Sequence, residues 1–429
     1  MTDLADEAVA LCARLIALDT TNPGKPERPA AELVAEQLSN VGIDGRIYEL
    51  EEGRSNYVVR IEGDGTSDDA LLLHGHLDVV PADPTAWRYP PFSGEVAEGC
   101  IWGRGAVDMK HMVAMLVASL RRMAADGTRP RRDLVLCLFA DEEGGFRRGS
   151  KYMVEQHREV FDGVTAAVGE LGGFSVTTPA GARIYPIQVA EKGSVSLRLR
   201  ARGRAGHASM PHADNPVMAL AASIAALRDL DGGHRLTPTT AAFLEHVGAV
   251  LGHPIDPADP APAFAGLGSL WTFVEPTLHN TVTPTILLGG DKPNVIPAEA
   301  KAIFDCRFLP GHEDDMLRAI EARLEPNVAA EVLARFPAVE SPWAHPLVDA
   351  MRAALVAEDP DAHPVPFMIP AGTDAKWLTA LGIPCYGFAP LLLPPDLDFP
   401  ALFHGVDERV PVAAVGFGAR VLHRLLTTF

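Results

Sequence analysis

Three short apolar runs stop abruptly at polar residues. Leu71-Leu72-Leu73 runs into His74-Gly75-His76-Leu77-Asp78, residues 134–140 into Asp141-Glu142-Glu143-Gly144-Gly145, and Ala166-Ala167-Val168 into Gly169-Glu170. Unbroken apolar runs of this length are strands with both faces covered, as in a parallel or mixed sheet. Between them, residues 109–125 carry a helical pattern closed by Asp126-Gly127, a stop in which glycine takes the left-handed conformation. Strands alternating with helices predict an α/β domain with helices on both faces of a mixed sheet.

The pattern changes near Val189. Residues 194–201 read Ser-Val-Ser-Leu-Arg-Leu-Arg-Ala, a strict alternation that predicts a strand with one wet face. A helix is predicted over 216–230, strands over 281–288 and 300–308, a helix over 313–324 and a strand over 330–336. This makes a compact α+β unit of about four strands and two helices. Residues 253–265, rich in Pro, Ala and Asp, read as a surface loop within it. After Pro337 the α/β character resumes. The expected organisation is therefore an α/β domain in two parts, 1–188 and 338–429, with the α+β unit 189–337 inserted between them.

Composition narrows the class. At 429 residues, two domains are the expectation, and 47% hydrophobic with 22% charged residues is a globular balance. A net charge of −19 opposes nucleic acid or an anionic membrane surface as partner. The five cysteines are scattered without a CxxC pair, which is no disulfide framework and suits a reducing compartment. Neither a basic leader nor a bilayer-length apolar run is visible, so the expectation is a cytoplasmic protein.

The polar residues that end the apolar runs carry the chemistry. His76 and Asp78 are two apart at a strand end, so one can bind a metal while the other holds the imidazole. Asp108 stands at a helix start, where main-chain donors and the helix dipole favour a carboxylate. Glu142 and Glu143 point in different directions if extended, one towards a metal and one towards a bound water. Glu170 ends a third strand. The carboxyl ends of strands in an open α/β sheet gather in one crevice, and carboxylates at that density need cations to compensate them. Mixed His and carboxylate donors suit zinc, with manganese or cobalt as substitutes. Each residue alone also reads as a cap, a turn or a surface pair; their joint occurrence at element ends does not.

Several further motifs make the pattern specific. They are His74-Gly75-His76-Leu77-Asp78-Val79-Val80-Pro81, Gly103-Arg104-Gly105-Ala106-Val107-Asp108-Met109-Lys110, Asp141-Glu142-Glu143-Gly144-Gly145 and Gly206-His207-Ala208-Ser209-Met210-Pro211. Asn294-Val295-Ile296-Pro297, Asp305-Cys306-Arg307, Gly372-Thr373-Asp374-Ala375 and His404-Gly405-Val406-Asp407-Glu408 complete the set. Across nearly the whole chain the sequence resembles the M20 family of metallopeptidases. The resemblance implies a zinc-peptidase-like catalytic domain with an inserted lid and dimerisation domain. It implies that Asp108 bridges two zinc ions, with His76 and Glu170 completing one site and Glu143 and His404 the other. Asp78 would orient His76, Glu142 would be the general base, and His207 the oxyanion partner. Arg307 and Asn294 would contact the substrate carboxylate and carbonyl, while Gly372 and Thr373 line the pocket. A cis peptide at Asp108–Met109 and a homodimer through the inserted domain are further implications. In that family Glu170, where aminopeptidases often have aspartate, tilts the expectation towards an acylase or carboxypeptidase. The stretch Trp87-Arg88-Tyr89-Pro90-Pro91-Phe92-Ser93-Gly94 resembles carboxypeptidase S-like members. A dipeptidase is the alternative enzyme, and a catalytically silent binding subunit the alternative outside enzymes.

Overall fold

A computed structural model describes residues 3–429 except Asp229, Asp231 and Gly232. The expected helix over 216–230 is observed as Pro216–Leu227, and Asp229 in that span lies outside the described residues. The three apolar runs form the strands Ala70–His76, Asp133–Phe139 and Val164–Gly169. They are parallel neighbours, with Ala70–His76 in the middle. Their continuous apolar character follows from burial on both sides. Leu71 and Leu73 pack into a core that includes the helices Leu4–Ile16, Lys110–Asp126 and Val412–Thr428. Leu72, on the opposite face, joins Tyr152, Met153 and Leu378. The sheet reaches ten strands, with antiparallel Ser55–Ile61 on one side and Cys385–Gly387, Arg183–Glu191 and Ala362–Ile369 on the other. The helix Lys110–Asp126 ends at Gly127, whose φ of +69° is the left-handed stop signalled by Asp126-Gly127. Among the described residues, no helix is long and apolar enough to cross a membrane.

A second sheet of four antiparallel strands runs in the order Thr281–Leu288, Glu299–Phe308, Gly193–Arg202, Val328–Phe336. Its alternation is what the sequence requires. Val195, Leu197, Leu199 and Ala201 face inwards against Leu220 and Leu227 of the helix Pro216–Leu227 and Met316 and Ile320 of Glu313–Glu321. Ser194, Ser196, Arg198 and Arg200 face outwards, none of them buried.

One part of the middle segment behaves differently. Residues 253–265 are largely exposed, yet the helices Pro238–Leu251 and Leu270–Val274 flank them. Thr237 begins the first of these with a reciprocal cap to Thr240, and Pro238 opens its first turn. Phe243, Leu244, Val247, Phe264 and Leu270 leave the four-stranded sheet and pack on Ile184, Val365, Phe367 and Ile369 of the large one. The chain therefore leaves the large sheet after Glu191, returns at Pro238, leaves again after Thr277 and returns after Phe336. The Ala-rich surface of Pro238–Leu251 gave no periodic signal strong enough to place it.

Candidate metal centre and active site

The carboxyl ends of the three parallel strands open into one crevice, and the predicted acidic residues meet there. His76 Nε2 lies 2.9 Å from Asp108 Oδ1 and 3.4 Å from Glu170 Oε2. His404 Nε2 lies 3.2 Å from Asp108 Oδ2 and 3.1 Å from Glu143 Oε1. Asp108 thus faces one imidazole with each oxygen. Candidate donor atoms of His76, Asp108 and Glu170 lie within 4.8 Å of one another, as do those of Asp108, Glu143 and His404. His76, Glu142 and Glu143 form a third such group, so Glu142 stands at the same centre. The peptide between Asp108 and Met109 is cis, as the resemblance implies.

The surrounding residues fix this arrangement. His76 Nδ1 lies 2.9 Å from the main-chain oxygen of Asp78 and 3.6 Å from its carboxylate. The imidazole therefore donates to the main chain there, which leaves Nε2 pointing at the acidic cluster. The Asp78 carboxylate instead accepts the main-chain N–H groups of Glu142 and Glu143, each at 3.1 Å, and the Asn22 amide at 2.8 Å. It sets where both glutamates leave the chain. Asn22 also donates to Asp141 at 3.0 Å.

Glu408 does the same for Asp108. Its Oε1 accepts from the main-chain nitrogens of Gly105, Val107 and Asp108 at 3.0, 2.6 and 3.1 Å, and its Oε2 accepts from Arg104 at 2.5 Å. Arg104 in turn donates to the main-chain oxygen of His404 at 3.2 Å. Burial raises the Glu408 pKa, against the pull of Arg104 and these donors. Asp141, Leu171 and His404 have φ of +62°, +64° and +57°. Each costs roughly 1–2 kcal/mol for a residue with a Cβ, strain that collects where a site holds side chains in place.

The electrostatics are those of a cluster built around positive charge. Burial alone would lower the His76 pKa, but Glu170, Asp108 and Asp78 hold it well above its usual value. Hydrogen bonds that His404 donates to Asp108 and Glu143 lift its pKa to about 10. Burial raises Glu170 to about 7, with His76 opposing and Asp108 and Glu143 adding to the rise. Burial, then Glu170, push Glu142 well above the ordinary carboxylate range, with His76 opposing. Cations satisfy such a set of donors far better than protons do.

The remaining predicted residues lie elsewhere. His207 is exposed on a two-residue strand paired with Val295–Ile296, its Nδ1 held by Ser209. Asn294 is adjacent, its main-chain oxygen accepting from Ala208 at 3.0 Å. Among the described residues, no ion pair or hydrogen bond joins either to the acidic cluster of the same chain. Arg307 lies on the second sheet, its guanidinium paired with both oxygens of Asp305 at 2.6 and 2.9 Å. Thr373 is buried, with its hydroxyl and N–H on Glu191 at 2.5 and 3.1 Å. A Cβ on Gly372 would lie 2.0 Å from Lys376 Cε, so a larger residue there would force the buried lysine stem to shift. Sequence reasoning gave no role to Asn22, Glu191, Lys376 or Glu408. Only Glu408 carried a signal, as the last residue of the His404 motif.

Comparison with known proteins agrees with this geometry. Residues 72–428 match the model for peptidase family M20/M25/M40. The chain is 30% identical over 450 residues to succinyl-diaminopimelate desuccinylase of Paracoccus denitrificans, covering 100% of both. It is 27% identical over 435 residues to human aminoacylase-1, covering 98% of this chain and 94% of that one. A family M20 metallo-carboxypeptidase from Sulfolobus solfataricus superposes with a TM-score of 0.73 at 16% identity, over 98% of this chain and 99% of that one. The chain belongs to peptidase family M20/M25/M40, and it is a hydrolase of amide or peptide bonds.

Proposed function

We propose that this hydrolase holds two cations and cleaves the amide bond of an N-acyl amino acid or small peptide beside a free carboxylate. The observation that carries the reading is the pair of donor sets sharing Asp108. His76, Asp108 and Glu170 would hold one cation, and Asp108, Glu143 and His404 the other. Imidazole mixed with carboxylate suits zinc, with cobalt or manganese as substitutes. Such a pair, when bound, polarises the scissile carbonyl and lowers the pKa of a shared water.

Glu142 takes the proton from the attacking water and returns it to the leaving amine. Asp78 fixes the main chain at Glu142 and Glu143 by accepting both of their N–H groups. Arg307 exchanges Asp305 for the substrate carboxylate, which a guanidinium grips through two parallel hydrogen bonds. The desuccinylase and aminoacylase names of the relatives support an acyl amino acid as substrate.

Within the segment 189–337, the unit built on the four-stranded sheet, residues 192–237 and 278–336, acts as lid and dimerisation domain. Ile286, Leu287 and Leu288 are exposed on its edge strand, as is Met218 on its helix Pro216–Leu227. An apolar sheet edge beside an apolar helix face is what a second copy would cover. In that dimer His207 reaches the partner's active site. The free cysteines fit a reducing, cytoplasmic setting. The test is turnover of a panel of N-acyl amino acids and dipeptides with metal content measured in parallel. About two metals per chain and hydrolysis of free-acid substrates are expected. Turnover without metal, or none on any free acid, refutes the reading.

A further inference from the structure

Two buried lysines sit where the chain passes between the sheets. Lys376 Nζ donates to the main-chain oxygens of Lys192 at 2.7 Å and Pro337 at 2.9 Å, and lies 3.4 Å from Glu191 Oε2. Lys192 and Pro337 belong to the first departure from the large sheet and the last return to it. Lys192 Nζ donates to Pro276 O at 2.7 Å and His279 O at 2.8 Å, which lie on another departure. Both ammonium groups are thus spent on main-chain carbonyls of the connections. Lys192 and Glu191 are wholly buried, and Lys376 is 3% exposed.

Arg307 lies between the segments so held. Its cross-strand partners are Ser194, two residues after Lys192, and Thr281, two residues after His279. One lysine fixes the main chain leading to Ser194, and the other fixes the main chain leading to Thr281. The Glu191 carboxylate beside Lys376 also accepts both Thr373 donors and the Gln188 amide at 3.0 Å. The connection is thereby tied to the loop 372–374 of the large sheet. Among the described residues, no ion pair or hydrogen bond joins the acidic cluster to the second sheet.

We propose that Lys376 and Lys192 are positioning residues that set where Arg307 stands on the second sheet, so that they govern recognition of the substrate carboxylate. This rests on the proposed reading of Arg307. The experiment compares a free-acid substrate with its matching amide in wild type, Arg307→Lys, Lys192→Met, Lys376→Met and the charge-balanced double variant Lys376→Met/Glu191→Gln. Metal content and thermal unfolding are measured on each.

The lysine variants that keep their metals should lose about tenfold or more in kcat/KM on the free acid, chiefly through KM, and less than threefold on the amide. Arg307→Lys should show the same acid-selective loss. Unchanged kinetics, or equal loss on acid and amide, in a folded and metal-loaded lysine variant would overturn the proposal. So would selective loss at Arg307 alone, or failure of all three lysine variants to fold with metal, either of which assigns the lysines to folding. If wild type does not prefer the free acid over the amide, the reading of Arg307 fails in wild type itself and the positioning role falls with it.

Discussion

Removing the Glu408 side chain should loosen the metal centre without touching a single candidate ligand. Glu408→Ala strands the N–H groups of Gly105, Val107 and Asp108 and the Arg104 guanidinium, all now held by one carboxylate. A hydrogen bond to a charged group is worth about 1.5–3 kcal/mol, so four would sum to about 6–12. They share one acceptor and are not additive, and water entering the vacated space recovers part of the loss. The better guide is the cost of breaking one buried ion pair, about 3–5 kcal/mol. Glu408→Gln should cost about 1.5–3 kcal/mol, since its oxygen can still face the three main-chain donors while its NH₂ opposes Arg104. Urea unfolding of the metal-free proteins measures this term without the contribution of bound metal. Metal affinity should fall roughly 10- to 100-fold, the range for losing a group that orients a ligand. A loss below about 1 kcal/mol in Glu408→Ala, with metal affinity unchanged, would refute the argument that this carboxylate fixes the Asp108 loop.

Three further outcomes follow from the same geometry. Glu142→Ala should retain both metals and lose several orders of magnitude in kcat, whereas Glu143→Ala should weaken metal retention; near wild-type turnover in Glu142→Ala excludes it as the base. His207→Ala and Glu142→Ala proteins should each be nearly inactive, and mixing them under subunit exchange should restore about a quarter of wild-type activity. Random pairing makes half the dimers mixed, each with one intact site; no recovery despite confirmed exchange removes His207 from the partner's site. Finally, hydrogen bonds from Arg183, then Tyr185, hold the Asp359 carboxyl below its ordinary value. A depressed carboxylate stabilises the fold above its unfolded pKa and loses that contribution as pH falls through the folded pKa. Asp359→Asn should therefore cost about 2–3 kcal/mol at pH 7, and the gap to wild type should close below about pH 4; a gap independent of pH would contradict the assignment.

The sequence was most legible where one physical requirement acts on consecutive residues. Strands buried on both faces must be apolar throughout, so residues 71–73, 134–140 and 166–168 announced themselves. The alternation of residues 194–201 was equally direct, because one face of that strand is wet. The helix Pro238–Leu251 was not legible, because its partners Val365, Phe367 and Ile369 lie more than a hundred residues away. Nothing local says that it packs on the other sheet.

The same distinction separates the two kinds of residue around the metal centre. The candidate ligands stand at element ends beside glycines and apolar runs, so short motifs contain them. What holds them is assembled from distant segments: Asn22 reaches Asp78 across 56 positions, and Glu408 reaches Asp108 across 300. Each of these is a polar side chain saturated by main-chain N–H groups or by another side chain, and burial makes an unsaturated alternative costly. Substituting any of them would therefore disturb metal affinity and stability together. A ligand substitution on an intact scaffold would lower metal affinity and leave the metal-free protein as stable, or more stable, because it removes a repelling carboxylate. Measured on the metal-free protein, the sign of the stability change thus separates the two classes without reference to activity: positive or zero for Glu143 and Glu170, negative for Asn22 and Glu408.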